Sequence, residues 1–441
     1  MPEVTLNQIL LSREERVKKQ QIILNRFTHP IISFTMNIAG PVKNSPIIER
    51  AFFEGIRLLK EELKNYIIIH QDIDIKDTGC EAIFSVNCDA TTLKDICTSI
   101  EDGTSLGRLF DMDIINTDGT KLERRNIRSC LVCGASGRNC AVSRAHSVDQ
   151  LQSVTKQIIE NYFLKYDKEL CCTLAVKSLL DEVHTTPKPG LVDCRNNGSH
   201  SDMNLNLFKR SAKALKPYFG ECFSIGRETS ALTYDESFSL LRKSGITAEK
   251  VMYDATCDIN THKGIIYSLG ILCASVGRLW SCEIPFADPS RICLESSNLV
   301  KSSVKKDFEQ IGETTAGGRL YLEYGLTGIR GEVSSGFRSV LEIGLPLYQK
   351  YRNKGLTQND AGTITLLHFI TNIKDTNLYH RGGIYGREFA VQATKRLLEN
   401  FPEPTKEQIE LLDDEFIKRK LSPGGCADLL AITYFLYSIN Q

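Results

Sequence analysis

The spacing of apolar residues changes character partway along the chain. Up to about position 165, short alternating runs are interleaved with helical ones. Ile31-Ile-Ser-Phe-Thr-Met-Asn-Ile38 alternates as a strand does and stops at the Gly40-Pro41 turn. Residues 66–69 are predicted as a short buried strand, 82–86 as another, and 109–115 as a third that carries acids. Helical periodicity covers 47–63 and 93–100, and Ser12-Arg-Glu-Glu15 has the form of a capped helix start. Beyond Asp167 the apolar residues recur at three- and four-residue spacing, over 171–183, 205–215, 265–276, 340–348, 362–373 and 426–437, with glycine-rich polar loops between. The pattern predicts an α+β protein: a mixed α/β domain over 1–166 and a larger, mainly α-helical domain over 167–441.

Composition narrows the class. A chain of 441 residues is long for one core, and 41% hydrophobic with 24% charged residues is ordinary for a soluble globular protein. A formal net charge of zero gives no general attraction for nucleic acid or an anionic membrane, so a polyanion has to be met by a local cluster. Met1-Pro-Glu-Val carries no secretory signal pattern and no apolar run reaches spanning length, so a cytoplasmic protein is expected. Its 15 cysteines are then expected as reduced thiols.

Against that neutral background several clusters stand out. Asn260-Thr-His-Lys-Gly264 sets an amide, a hydroxyl, an imidazole and an ammonium just before an apolar helical segment. A helix N-terminus with unpaired N–H groups attracts phosphate, and His262 and Lys263 would add to it. The spacing is not that of a P-loop. In Gly107-Arg-Leu-Phe-Asp-Met-Asp113, two acids two apart on a strand project from one face, so Asp111 and Asp113 could share a magnesium ion beside Arg108. An exposed edge strand is the plain alternative. Cys130-Leu-Val-Cys133, Cys140 and His146 could bind zinc; the competing reading is a turn with reduced thiols and Arg144 and His146 facing phosphate. Lys43, after Gly40-Pro41, is a further loop cation.

Four more polar loops separate the later apolar helices. Thr185-Thr-Pro-Lys-Pro-Gly-Leu-Val-Asp193 supplies Lys188 and Asp193, while Tyr324-Gly-Leu-Thr-Gly-Ile-Arg-Gly-Glu332 supplies Arg330 and Glu332. Lys374-Asp-Thr-Asn377 with His380-Arg-Gly-Gly383 brings Asp375, Asn377 and Arg381. Ser422-Pro-Gly-Gly425 opens a helix that carries Asp428, and Gly424 and Gly425 there form a second candidate anion cradle. Each alone could be turn chemistry. Together they hold more His, Lys, Arg and Asp than turns require.

On these residues the chain resembles a fusion of two families. Ser12-Arg-Glu-Glu-Arg16, Ser33-Phe-Thr-Met-Asn37 with Gly40-Pro-Val-Lys43, the stretch from Gly107 to Asp113, and Cys130 through Cys140 to His146-Ser147 are similar to the citrate lyase holo-acyl-carrier-protein synthase family, the apo-citrate lyase phosphoribosyl-dephospho-CoA transferases. The Pro-Lys-Pro-Gly loop, the Asn260–Gly264 cluster, Gly328-Ile-Arg-Gly-Glu332, Asp375-Thr-Asn377 with Arg381-Gly-Gly383, and Ser422-Pro-Gly-Gly425 resemble triphosphoribosyl-dephospho-CoA synthases. One departure is Asp202-Met-Asn204, with an amide where a second acid is usual.

The resemblance implies a first domain of nucleotidyltransferase type and two reactions in series. ATP and 3′-dephospho-CoA would yield 2′-(5″-triphosphoribosyl)-3′-dephospho-CoA and adenine, and phosphoribosyl-dephospho-CoA would pass to a serine of the citrate lyase acyl carrier protein (gamma subunit) with release of diphosphate. It implies Asp193, Glu332 and Asp375 as carboxylates for the ribosyl transition state or a metal, and His262 as an acid or triphosphate ligand. Lys188, Asn260, Lys263, Arg330, Asn377 and Arg381 would hold phosphates; in the transferase Asp111 and Asp113 would bind Mg2+ while Lys43 and Arg108 neutralise the polyphosphate. Two other readings stay open: a hydrolase or transferase of ADP-ribose-type glycosidic bonds, and a non-catalytic assembly factor for an acyl carrier protein.

Overall fold

The structure is a computed structural model that describes residues 2–126, 128–310 and 316–441. It divides into two compact units, Met1–Tyr166 and Asp167–Gln441, and the division falls within the helix Val148–His184.

The first unit is built on a five-stranded sheet of β1 (Ile31–Met36), β2 (Ile67–Lys76), β3 (Gly79–Asn87), β4 (Phe110–Ile115) and β5 (Lys121–Leu122), in the order β2-β3-β1-β4-β5. Every pairing is antiparallel, which makes the unit α+β. One face is apolar: Phe34 of β1 stacks on Phe52 of the helix Pro46–Glu62 at 4.8 Å and meets Phe110 of β4 edge-on at 5.3 Å. The other face lies under the helix Leu6–Phe27 and is mixed. Ile23, Leu24, Ile31 and Ile83 form a cluster there, while Arg16 pairs with Glu81 at 2.7 Å and Gln20 donates to Ser33 at 2.8 Å.

Two expectations for this unit change. Residues 66–69 begin not a short buried strand but the ten-residue edge strand β2, whose one side reaches solvent. The first helix starts earlier than Ser12, because Thr5 and Gln8 form the capping box. Ser12 is instead buried in mid-helix, donating to Glu81 at 3.3 Å.

The regular elements of the second unit, among its described residues, are all helices. Lys263–Leu279 and Gly424–Ile439 are its most deeply buried helices. The first packs backbone to backbone on Lys216–Glu228, since a β-carbon at Gly226 would overlap the Ala274 carbonyl. Asn204 turns out to be the cap of Leu205–Ala214, its side chain accepting from the Leu207 N–H at 3.0 Å. Among the described residues, no helix is long and apolar enough to cross a membrane.

Candidate functional site

In the second unit, the polar loops singled out in the sequence converge on one cavity of about 980 Å³. Its wall includes the start of Lys263–Leu279, the Gly325–Glu332 loop and helix, the 372–381 segment and the start of Gly424–Ile439. Asn260, His262, Lys263, Arg330, Glu332, Asp375, Asn377, Arg381, Gly424, Gly425 and Lys188 all line it. Nothing in their sequence separation required that.

The cavity is acidic at its floor and basic at its rim. Lys263, Arg330 and Arg381 are exposed there, joined by Lys374 and Arg338. Lys263 pairs with Glu249 at 2.8 Å and Arg330 with Asp307 at 3.6 Å. Deeper in lie Glu182, Asp375 and Asp428. Asp375 caps the helix Thr376–Asn400: Oδ1 accepts from the N–H groups of Asn377 (2.7 Å) and Leu378 (3.2 Å), and Oδ2 from that of Cys426 (2.8 Å). Burial pushes its pKa up against the pull of those donors. Asp428 lines the cavity wall yet is enclosed by protein, and among the described residues no hydrogen-bond donor reaches its carboxylate. Enclosure raises its pKa well above the usual carboxylate range, and the charges of Glu182 and Asp375 raise it further. Glu182 is likewise raised by burial, against the pairing with Lys188. All three acids therefore ionise less readily than a free carboxylic acid, and Asp428, with no donor to oppose its enclosure, least readily.

Several expected roles are altered by this geometry. Lys188 is buried with its ammonium on Glu182, whose carbonyl also accepts from it at 2.8 Å, so it neutralises an acid instead of meeting phosphate directly. Asp193 does not line the cavity; its carboxylate accepts from the Lys188, Arg195 and Asn196 N–H groups at 2.9, 2.7 and 3.1 Å and shapes its own loop. His262 is buried, hydrogen-bonded to Ser211 Oγ at 2.7 Å, and burial with the nearby Lys188 charge lowers its pKa to about 3. It is a neutral imidazole in the free protein, not a cation or a ready acid. Gly425 is closely packed, because a β-carbon there would sit 3.0 Å from Asp375 Oδ2. The Cys426 N–H at that helix start already serves Asp375. Glu332 accepts from Ser339 N–H at 2.8 Å and Ser339 Oγ at 2.9 Å, and burial raises its pKa.

Glu182, which the sequence reading passed over, and Asp428, which it noted without a role, each had a signal: a lone acid on the apolar face of a helix. Asp413 had none. It is buried at the far side of the same loop, accepting from Gly190 N–H and Asn196 at 2.8 Å each and from Arg195 at 2.5 Å.

In the first unit Asp111 and Asp113 share one face of β4, opposite Thr35 and Ser33 of β1. Desolvation and the Asp113 charge raise the Asp111 pKa, while Lys121, Arg128 and Arg16 pull it back. Asp113 pairs with Lys121 at 2.5 Å. Arg108 points elsewhere, donating to Ser129 Oγ at 3.0 Å, and Lys43 donates to the Ile38 carbonyl at 2.5 Å. The cations facing the acids are thus Arg16, Lys121 and Arg128. Arg144 is an exposed left-handed helix cap, and His146 turns not toward phosphate but toward Cys130, Cys133 and Cys140.

A unit with an acid pair among cations and a helical unit with a nucleotide-sized acid-and-base cavity define a two-part transferase. Residues 169–441 match the family described as ATP:dephospho-CoA triphosphoribosyl transferase, and residues 4–162 the apo-citrate lyase phosphoribosyl-dephospho-CoA transferase family. Protein CitXG of Haemophilus influenzae is 34% identical, covering 99% of this chain and 97% of its own length; Protein CitXG of Leuconostoc mesenteroides subsp. cremoris is 32% identical over 98% and 97%. The 2-(5″-triphosphoribosyl)-3′-dephosphocoenzyme-A synthase of Haemophilus ducreyi is 37% identical, with 70% of this chain and 99% of that protein covered. The chain belongs to the CitXG family, a fusion of these two transferases.

Proposed function

We propose that the second unit joins ATP to 3′-dephospho-CoA and that the first attaches the product to a serine of the citrate lyase acyl carrier protein. In the first reaction the 2′-hydroxyl of dephospho-CoA attacks the anomeric carbon of the ATP ribose. The glycosidic bond to adenine breaks, and adenine leaves with a proton. In the second, the carrier serine attacks the α-phosphorus of the triphosphoribosyl group and diphosphate departs.

The observation that carries the reading is the acid trio Glu182, Asp375 and Asp428 beneath a basic rim, in a cavity of about 980 Å³. That volume sits at the upper end of ligand pockets, which suits two nucleotide substrates. Six lysine and arginine side chains and five acids line it, and the raised pKa of Asp428 tilts that balance further toward positive charge for a triphosphate. The floor divides its labour by hydrogen bonding. Asp375, held by three N–H donors, is the better carboxylate to stabilise positive charge developing on the ribose. Asp428, without such donors and enclosed beside two other acids, holds a proton to give to adenine. Neutral His262 serves as a wall and hydrogen-bond partner.

In the first unit, Asp111 and Asp113 fit magnesium: hard oxygen donors from two carboxylates whose mutual repulsion a dication relieves. Bound there, the ion would offset charge on the departing diphosphate. Arg16, Lys121 and Arg128 would orient the remaining phosphate oxygens. The nucleophile comes from the carrier, so this unit needs no serine triad of its own.

The test is to incubate the full chain with ATP, dephospho-CoA, magnesium and apo-carrier, and weigh the carrier by mass spectrometry. Asp428→Asn should abolish adenine release while still attaching premade intermediate. Adenine release at the normal rate by that variant refutes the assigned proton donor, and release without dephospho-CoA points to a glycosidic hydrolase.

A further inference from the structure

From Lys121 to Ser147, none of the described residues is buried. The helix Gly137–Ser143 inside that stretch contributes no buried side chain. Hydrophobic burial therefore does little to hold this segment in one shape. Segments of this kind need another fastening, and in small core-poor folds it is commonly a metal.

Four ligand-bearing side chains converge here. The sulfurs of Cys130, Cys133 and Cys140 and a ring nitrogen of His146 all lie within 4.8 Å of one another. Cys133 Sγ is 3.5 Å from Cys140 Sγ and 3.3 Å from His146 Nε2. A tetrahedral zinc ion, with bonds of about 2.3 Å to sulfur and about 2.0 Å to nitrogen, has edges of roughly 3.5–3.8 Å. The backbone also folds as a metal knuckle: Val132 N–H points at Cys130 Sγ at 3.4 Å, and Gly134 N–H donates to the Cys130 carbonyl at 3.0 Å. Gly134 takes a left-handed φ of 75°, which lets the chain turn tightly after Cys133.

We propose that Cys130, Cys133, Cys140 and His146 bind one zinc ion that fixes the 128–146 segment. Three thiolates and one imidazole complete a tetrahedron with no open position, so the ion is structural, and its binding releases the thiol protons. The fastening reaches toward the acid pair. Arg128 donates to the Phe110 carbonyl at 2.7 Å and pairs with buried Glu101 at 2.6 Å, and Ser129 receives Arg108. Glu101 in turn accepts from the Met112 N–H at 2.8 Å, on the strand that carries Asp111 and Asp113. Zinc thus holds Arg128 where its charge meets Asp111. This last clause rests on the transferase reading; metal binding itself does not.

The experiment purifies the full chain in reducing, zinc-containing buffer, removes free metal by gel filtration and measures zinc by mass spectrometry. Expected are one zinc per chain and, after exchange with cobalt(II), the visible d–d and thiolate charge-transfer bands of a tetrahedral site. Cys133→Ser and His146→Ala should lose the metal and the bands. Adenine release should persist in both variants, which reports that the chain is folded, while carrier modification falls at least tenfold. Wild-type protein free of zinc, full zinc in Cys133→Ser, or a Cys133–Cys140 disulfide in reducing buffer overturns the site. Undiminished carrier modification by the zinc-free variants overturns its positioning role.

Discussion

Gly264→Ala separates catalysis from stability in the second unit. Alanine is favoured over glycine in a helix by up to about 1 kcal/mol, so on propensity alone the change near the start of Lys263–Leu279 is neutral or stabilising. The tertiary environment says otherwise. A β-carbon at position 264 would lie 3.3 Å from Asp428 Cγ and well inside contact distance of its Oδ2. Carbon and oxygen approach comfortably only to about 3.3 Å, so the carboxyl group must retreat by roughly 1 Å. Displacement of a reacting group by that much costs on the order of 100-fold in rate, or about 2.7 kcal/mol of barrier. The assay is steady-state adenine release from ATP and dephospho-CoA, with melting temperature and transfer of premade intermediate as controls. Adenine release should fall about 100-fold with both controls unchanged. Release within about twofold of the unsubstituted protein, a barrier change under roughly 0.5 kcal/mol, would refute the placement of Asp428 at the chemistry.

Asp111→Asn should abolish carrier modification and leave adenine release intact; loss of both would contradict separate sites. The second unit should lose stability on acidification. Burial lowers the pKa of His262 to about 3 and, with Arg381 beside it, that of His200 to about 4, both below the ordinary 6.5. Both are neutral in the native state, whereas the unfolded chain takes up protons near 6.5, so their contribution is complete above that pH and lost as the pH falls toward the folded values. His262→Gln, which keeps a hydrogen-bonding group for Ser211 without the titration, should flatten the decline of melting temperature between pH 6.5 and 4; an unchanged slope would remove His262 from the account.

Which chemical groups the two units would need was readable from local patterns, because local patterns follow from backbone geometry. Two aspartates two apart on a strand must face the same way, and they do. An amide, an imidazole and a lysine before an apolar helix must gather at its N-terminus, and Asn260, His262 and Lys263 do. Helical periodicity placed six segments of the second unit for the same reason, but not helices such as Tyr234–Thr256 or Pro289–Glu309.

Which partner each charged group takes was not readable, because that depends on chain segments far apart in sequence. Lys188 was expected to meet phosphate and is satisfied by Glu182, and Arg108 by Ser129. Asp193 looked catalytic because acids in Pro- and Gly-rich loops often are; its carboxylate is instead the pin around which Lys188, Arg195 and Asn196 turn. Asp413 lies more than two hundred residues from the Gly190 N–H it receives, and no spacing rule links them.

The sequence by itself determined the alternation and periodicity that make these elements, and the residue types that mark two transferases. Tertiary structure alone decided that Glu182, Asp375 and Asp428 share one enclosed space. The physical reason is that a carboxyl group's protonation is set by the water it loses and the charges it meets on folding, and neither exists until the distant segments have packed.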